Sequence, residues 1–240
     1  MSSKAAVLSQ LARALGSIDR EHSLPLRLCE ASVEILDADG GAITLAYTRT
    51  ERLTLCATDS PSTILEDLQD VLGEGPGTDA YNSGEATIGT LDGHDPERRW
   101  LLLTEAARTA LGFEATLYAL PIRPEQDVLG VLTLYQADRR PLARETRDAL
   151  FLADALGAAL LRDPHSQAEL APPGPWATRA RIHQATGIVL AQLKIAPDDA
   201  LALLRAHAFA HSTSMDAIAT EIIERRLDFT QSATDGTDSA

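Results

Sequence analysis

The stretch "RIHQATGIVLAQL", Arg181 to Leu193, reads as one helix with a glycine at its middle. At helical spacing Ile182, Ala185, Val189, Leu190 and Leu193 gather on one side, the pattern of a helix that buries a single face. Gly187 is not on that stripe. It falls on the flank with Ala180, His183, Ala191 and Lys194, in a strip that is small rather than apolar. A glycine there costs the helix about 1 kcal/mol against alanine, and a strip of Ala and Gly lets another backbone come close. Two neighbours would account for it: a following helix that crosses at this point, or a partner from outside the fold.

Outward from this helix the chain continues as two more. The first is predicted from Trp176 to Lys194. Pro197, with Asp198 and Asp199 in the first turn, opens a second that runs to about His211. "STSMD" caps a third, which carries Ile218, Ile222 and Leu227. Three short helices are near the lower size limit for an independent fold, so this segment (176–230) is expected to lean on a second copy or on the helix before it. Ahead of it, "RDPHSQAELAPPGPW" (Arg162–Trp176) holds four prolines and a glycine and reads as a linker, assigned to 164–175. Behind it, 231–240 is small and polar and reads as a disordered tail.

Charge separates the two halves. The chain carries a net charge of −14, which on its face argues against phosphate contact. Between Pro175 and Phe229, however, six basic residues (Arg179, Arg181, Lys194, Arg205, Arg225, Arg226) balance six acidic ones. The acidity therefore belongs to the rest of the chain. No run is long and apolar enough for a membrane span, and the N-terminus lacks the layout of a signal peptide. A cytoplasmic protein is expected, with no membrane partner. The two cysteines, Cys29 and Cys56, sit in apolar surroundings and are expected as buried reduced thiols, with neither a disulfide nor a metal site.

Upstream the periods alternate. Val7, Leu8, Leu11, Leu15 and Ile18 form an amphipathic helix within 1–22. In 23–163, "LPLRLCEASVEIL" (24–36) is a helix ended by "DADGG", and "AITLAY" and "RLTLCA" are strands joined by a polar turn. "DPERRWLLLTEAARTALG" is predicted as a helix with Asp95 as its cap and Pro96 at its first position. "TLYALPI" and "VLGVLTLY" flank "RPEQD" as an antiparallel hairpin, and "RETRDALFLADALGAALLRD" is the exit helix. Helices bracketing mostly antiparallel strands make an α+β domain. The apolar stripes of the helix at 4–20 and of the exit helix exceed what one small sheet can cover, which predicts a homodimer.

The C-terminal segment resembles an ANTAR domain, the RNA-binding output module of bacterial transcription antiterminators. The matching elements are "QAxG" (Gln184, Ala185, Gly187), the "PDDA" entry to the second helix, Leu203, Leu204, Arg205 and Ala208, and "AIA" with Ile222 and Ile223 in the third. The upstream domain resembles a GAF domain, most tellingly in "LQDVLGEGPGTDA" and "LPIRPEQDVLGVLTLY". Together they are similar to the GAF–ANTAR regulators common in actinobacteria. The resemblance implies a GAF-like antiparallel sheet with flanking helices, followed by a three-helix ANTAR-like bundle. It also implies a mechanism: two modules of a dimer hold tandem stem-loops of a nascent transcript, so the competing terminator hairpin does not form. The sensor domain would govern whether the modules are presented.

The candidate RNA-contacting residues are Arg179, Arg181, His183, Gln184, Thr186, Gly187, Lys194, Arg205 and His207, each of which has a solvated helix face as its alternative. Trp176 and His207 are candidates for stacking on bases, whereas Phe209 fits better as core. Thr186 stands where many ANTAR members carry lysine, and one phosphate contact fewer lowers affinity and flattens its salt dependence. Ala196 stands where a Ser or Asn cap is usual. Arg225 and Arg226 are accounted for by the helix dipole. "LGEGPGTDA" lacks the Lys-Ser/Thr of a phosphate loop, and its glycines serve tight turns.

Tyr81, Trp100, Phe113 and Tyr118 are the candidates for lining a small-molecule pocket in the GAF-like domain, against plain core as the alternative. His94 is a poor haem ligand, and no cofactor is called for. Some GAF-like domains reduce free methionine sulfoxide through several cysteines, a set that Cys29 and Cys56 do not supply, so no catalytic residue is expected. The competing readings are a DNA-binding helix-turn-helix, for which "DAIATEIIE" is too acidic and apolar, and a bundle that contacts protein alone.

Overall fold

A computed structural model describes residues 3–46, 52–93, 99–162 and 175–229. They divide into two compact units that part at residue 170, with Asp70–Leu72 grouped with the second.

In the N-terminal unit α1 (Ser3–Ser17) and α2 (Leu24–Leu36) precede β1 (Gly40–Ala46) and β2 (Arg52–Ala57). Then come α3 (Ser60–Leu72), α4 (Pro76–Ser83), β3 (Thr87–Leu91), α5 (Leu101–Leu111), β4 (Ala115–Ile122), β5 (Gly130–Gln136) and α6 (Thr146–Arg162). The five strands form one antiparallel sheet in the order β2-β1-β5-β4-β3. This is the α+β class expected. β4 and β5 are buried at every residue because helices cover both faces of the sheet. Alternate residues follow the strand period. Ile43, Tyr118, Leu120, Ile122, Leu132 and Leu134 join the core built with α1, α2 and α6, while Ala119 and Val131 pack with Ala80 of α4 on the other side.

Three elements escaped the sequence reading: α3, α4 and β3. The glycine-rich stretch after α3 is a helix–helix corner. Gly73 ends α3 at φ 67°, and Gly75 enters α4 at φ 138°. The side chain of Gln69 fills the space a Cβ at Gly75 would need, 2.5 Å away, and its Oε1 accepts a 2.8 Å hydrogen bond from the Gly77 amide. Gln69 in turn donates to the buried Glu66, which accepts from Thr44 Oγ1 at 2.6 Å. A polar spine thus fixes the corner to the sheet.

Two other expectations shift. The helix predicted from Asp95 begins at Leu101, with Trp100 before it in the left-handed region at φ 53°. Asp95 and Pro96 lie outside the described residues, as do His94, most of the linker and the tail. The N-terminal stripe does not need a second copy for cover: Val7, Leu11 and Ala14 are buried against α2 and α6 of the same chain. Leu8 on α1 (46% exposed) and Leu161 on α6 (48% exposed) remain outside.

The C-terminal unit is three helices, α7 (Pro175–Leu193), α8 (Pro197–Ala210) and α9 (Met215–Ile223). Its core is Ala185 and Val189 from α7, Ala200, Leu201, Leu204 and Ala208 from α8, and Met215, Ile218, Ala219 and Ile222 from α9. Four of these are alanines, which lets the helices approach closely. Ser214 caps α9 by accepting from the Ala217 amide, while Ala196 gives α8 no side-chain cap. Phe209 is 45% exposed and takes no place in this core, a correction to the expectation: the core stripe of α8 passes through Leu204 and Ala208 and leaves 209 on the flank.

Candidate nucleic-acid interface

Among the described residues no helix crosses at Gly187. A Cβ built on it meets nothing within 4 Å, and the residue is exposed, as are its flank neighbours Ala191 and Lys194. The described residues therefore give no internal reason for a glycine there. At 3.6 residues per turn Gly187 lies about 60° around α7 from Gln184 and about 40° from Ala191.

Beside this strip runs a groove of about 380 Å³, lined by Gln184, Ile188 and Gln192 of α7 and by Ile222, Ile223, Arg225, Leu227 and Asp228. Isoleucines and Leu227 make it apolar, and two amides, a guanidinium and a carboxylate make it polar. Gln192 Oε1 is buried without a hydrogen-bond partner, an acceptor with a desolvation cost and nothing to offset it. Arg225 sits just past the end of α9 at φ 59°. Gln184 of the groove lies about 20° around the helix from Ala191 of the strip, so the two adjoin.

The other candidates divide. Arg181 is spent within the unit: its Nε and Nη2 reach Asp216 Oδ1 at 2.8 and 2.7 Å, tying α7 to the first turn of α9. Thr186 is two residues from Ile188 and hence about 160° around the helix from the groove, with its hydroxyl donating to Ile182 O at 2.8 Å. A lysine at 186 would therefore point away from the groove. Lys194 ends α7 at φ 56°, exposed. Arg205 is half-buried on α8. His207 stacks on His211 at 4.2 Å and meets Phe229 edge-on at 5.3 Å. Burial lowers the His207 pKa below its ordinary value; His211 lowers it further, and Glu221 opposes both. The side chains of Trp176, Arg179 and His183 lie outside the described residues.

Sequence reasoning missed Ile188, Gln192 and Arg225. The i, i+4, i+8 ladder of Gln184, Ile188 and Gln192 was legible as one face of a helix, but only the position of α9 shows that the face is concave. Arg225 had been assigned to the helix dipole.

The four aromatics proposed for a sensor pocket do not converge. Tyr118 belongs to the core with α1, α2 and α6, and its hydroxyl donates to Arg140 O at 2.8 Å. Tyr81 packs with the cluster on the opposite face of the sheet. Trp100 is a plug over Gly89, where a Cβ would lie 2.0 Å from the indole, and its Nε1 donates to Asp79. Phe113 tilts against Tyr135 at 6.2 Å.

With this geometry in place, comparison with known proteins locates the C-terminal unit. The ANTAR domain model matches residues 176–223 of the chain. No curated protein matches. Among solved structures, the GAF domain of A. aeolicus nlh2 in an inactive state aligns at 13% identity and TM-score 0.41, over 67% of this chain and 98% of that one. A domain of a two-component sensor histidine kinase protein from Sinorhizobium meliloti aligns at 19% identity and TM-score 0.42, over 64% and 97%. An RNA-binding light-oxygen-voltage receptor aligns at 17% and TM-score 0.23, over 78% of this chain and 47% of that one. At such scores the α+β class rests on the sheet itself. The chain thus joins an α+β unit to a three-helix unit that the ANTAR domain model matches. No described helix is long and apolar enough to cross a membrane.

Proposed function

We propose that this chain is a cytoplasmic, signal-responsive transcription antitermination regulator whose C-terminal module binds tandem stem-loops of nascent RNA as a homodimer. The observation that carries the reading is Gly187, an exposed helix glycine with open space around it, on the ANTAR-matching segment and beside a polar groove. A sugar-phosphate backbone running along the Gly187–Ala191 strip would account for the missing Cβ. An unpaired loop base then enters the groove. Loop bases are recognised by stacking and by hydrogen bonds to their edges; the exposed amide of Gln184 lines the groove and supplies both donor and acceptor, and the exposed Arg225 at its rim would meet a flanking phosphate. The N-terminal unit receives the signal and performs no catalysis.

Binding of full-length protein to a labelled tandem stem-loop RNA across a salt series tests this, with a single-loop RNA and a duplex DNA as controls. Selective binding to the tandem RNA that weakens as salt rises, and that Gln184→Leu and Arg225→Gln each weaken, supports it. The neutral charge of the module and the pairing of Arg181 favour one rival, a module that contacts protein alone. Failure to bind the RNA at low salt would establish that rival instead.

A further inference from the structure

The chain has two cysteines in 240 residues, 27 positions apart, and the fold brings both to one place. Cys29 is on α2 and completely buried; Cys56 is on β2 and half-buried. α2 packs across β1 and β2, and Cys56 packs against the core cluster that contains Cys29. Cys56 is paired across the sheet with Ile43, whose side chain belongs to the same cluster as Cys29. A β-bulge produces this arrangement. β1 and β2 pair Ile43 with Cys56 and then Thr44 with Thr54, skipping Leu55. In a regular strand Leu55 and Cys56 would face opposite sides; the extra residue re-aims the chain so that both pack against the cluster under α2. β2 is also an edge strand, hydrogen-bonded on one side only, with room to adjust.

We propose that Cys29 and Cys56 are an oxidisable pair that closes to an intramolecular disulfide under a peroxide. Cys56, the more exposed sulfur, meets the oxidant. Its thiolate attacks one peroxide oxygen, the O–O bond breaks, and a sulfenic acid and one water form from hydrogen peroxide. The Cys29 sulfur then attacks the Cys56 sulfur; the S–S bond forms, the S–O bond breaks, and the departing hydroxide leaves as water with the Cys29 proton. Two thiols and one hydrogen peroxide become one disulfide and two waters. The Cys56 thiol and burial raise the Cys29 pKa, which keeps Cys29 from being the sulfur that meets the oxidant first. The closed bond staples α2 to the edge strand of the N-terminal unit and is reversible by thiols. This inference stands apart from the RNA reading.

The test is a peroxide titration of the reduced full-length protein, followed by denaturing alkylation, intact mass and peptide mapping without reductant. The pair predicts that both thiols are lost together and that the intact monomer mass falls by two hydrogens. It also predicts a cross-linked peptide joining residues 29 and 56, and a higher Tm that dithiothreitol reverses. In Cys29→Ser, Cys56 advances to sulfinic acid or links two chains; in Cys56→Ser, Cys29 stays alkylatable at the same dose. Oxidation of wild-type Cys56 alone, with Cys29 still alkylatable, would overturn the proposal. So would two unreacted thiols at a dose that consumes a free-thiol control.

Discussion

Two helices of this chain carry a glycine in their interior, and the two glycines answer to different neighbours. Gly157 on α6 lies under β4: a Cβ there would stand 2.5 Å from Ile122 Cγ2 and 3.0 Å from the Pro124 ring. Gly187 on α7 meets nothing within 4 Å. Both cost helix propensity, about 1 kcal/mol each. The first is explained by the fold that contains it. The second has no such neighbour among the described residues, and the proposed RNA contact is what would account for it.

Bulk sharpens the contrast most. Gly157→Leu is expected to destabilise by at least about 3 kcal/mol, because Ile122 is fully buried and a proline ring cannot turn aside. Gly187→Leu is expected to stabilise by about 0.7 kcal/mol while abolishing RNA binding. Chemical denaturation of the two variants, followed by the RNA assay on the second, checks both. With alanine the signs separate: Gly157→Ala should lose about 1–2 kcal/mol net, and Gly187→Ala should gain about 1 kcal/mol. A loss at Gly187→Ala would break the comparison, since it would mean an internal neighbour.

How much of this was legible depends on what each feature needs. The period of α7 and its buried stripe through Ala185 and Val189 were written in the spacing of one segment, as were the β4–β5 hairpin and the α+β class. β3 was not, because "TIGTL" is short and mixed in polarity; α3 was passed over although its Asp59 cap, early proline, Leu65–Leu68–Leu72 spacing and closing Gly73 are ordinary helix signals. The glycine corner was read as a loop because its helix α4 is only eight residues long and starts from a proline. At the candidate site, Gln184 and Gly187 could be picked out from one helix. The groove could not, since half its wall comes from residues 222–228.

Smaller effects probe the frame around the strip. Arg181→Ala removes the tie between α7 and Asp216 of α9, and a half-exposed pair of this kind contributes about 0.5–1 kcal/mol. RNA affinity should fall less than for Gly187→Leu, because the guanidinium serves the fold. Hydrogen exchange in α7 and α9 would report the loosening; a loss of affinity with unchanged exchange would put Arg181 on the RNA instead. The least effect is with pH. His207 has a folded pKa below its ordinary 6.5, so the folded unit prefers the neutral ring. As pH falls through 6.5 the unfolded chain takes the proton first, and stability declines until the folded pKa is passed. His211→Asn removes one cause of the lowering and should narrow that window, read as the change in α8 hydrogen exchange between about pH 7.5 and 5.5.

The most direct test of the account pairs stability with binding in one variant. Gly187→Ala is titrated with the tandem stem-loop RNA beside the wild type, and the melting of both proteins is recorded. The account predicts a more stable protein that binds the RNA more weakly. Equal or tighter binding by the stabilised variant would contradict it, because the open space at Gly187 would then be held for no RNA.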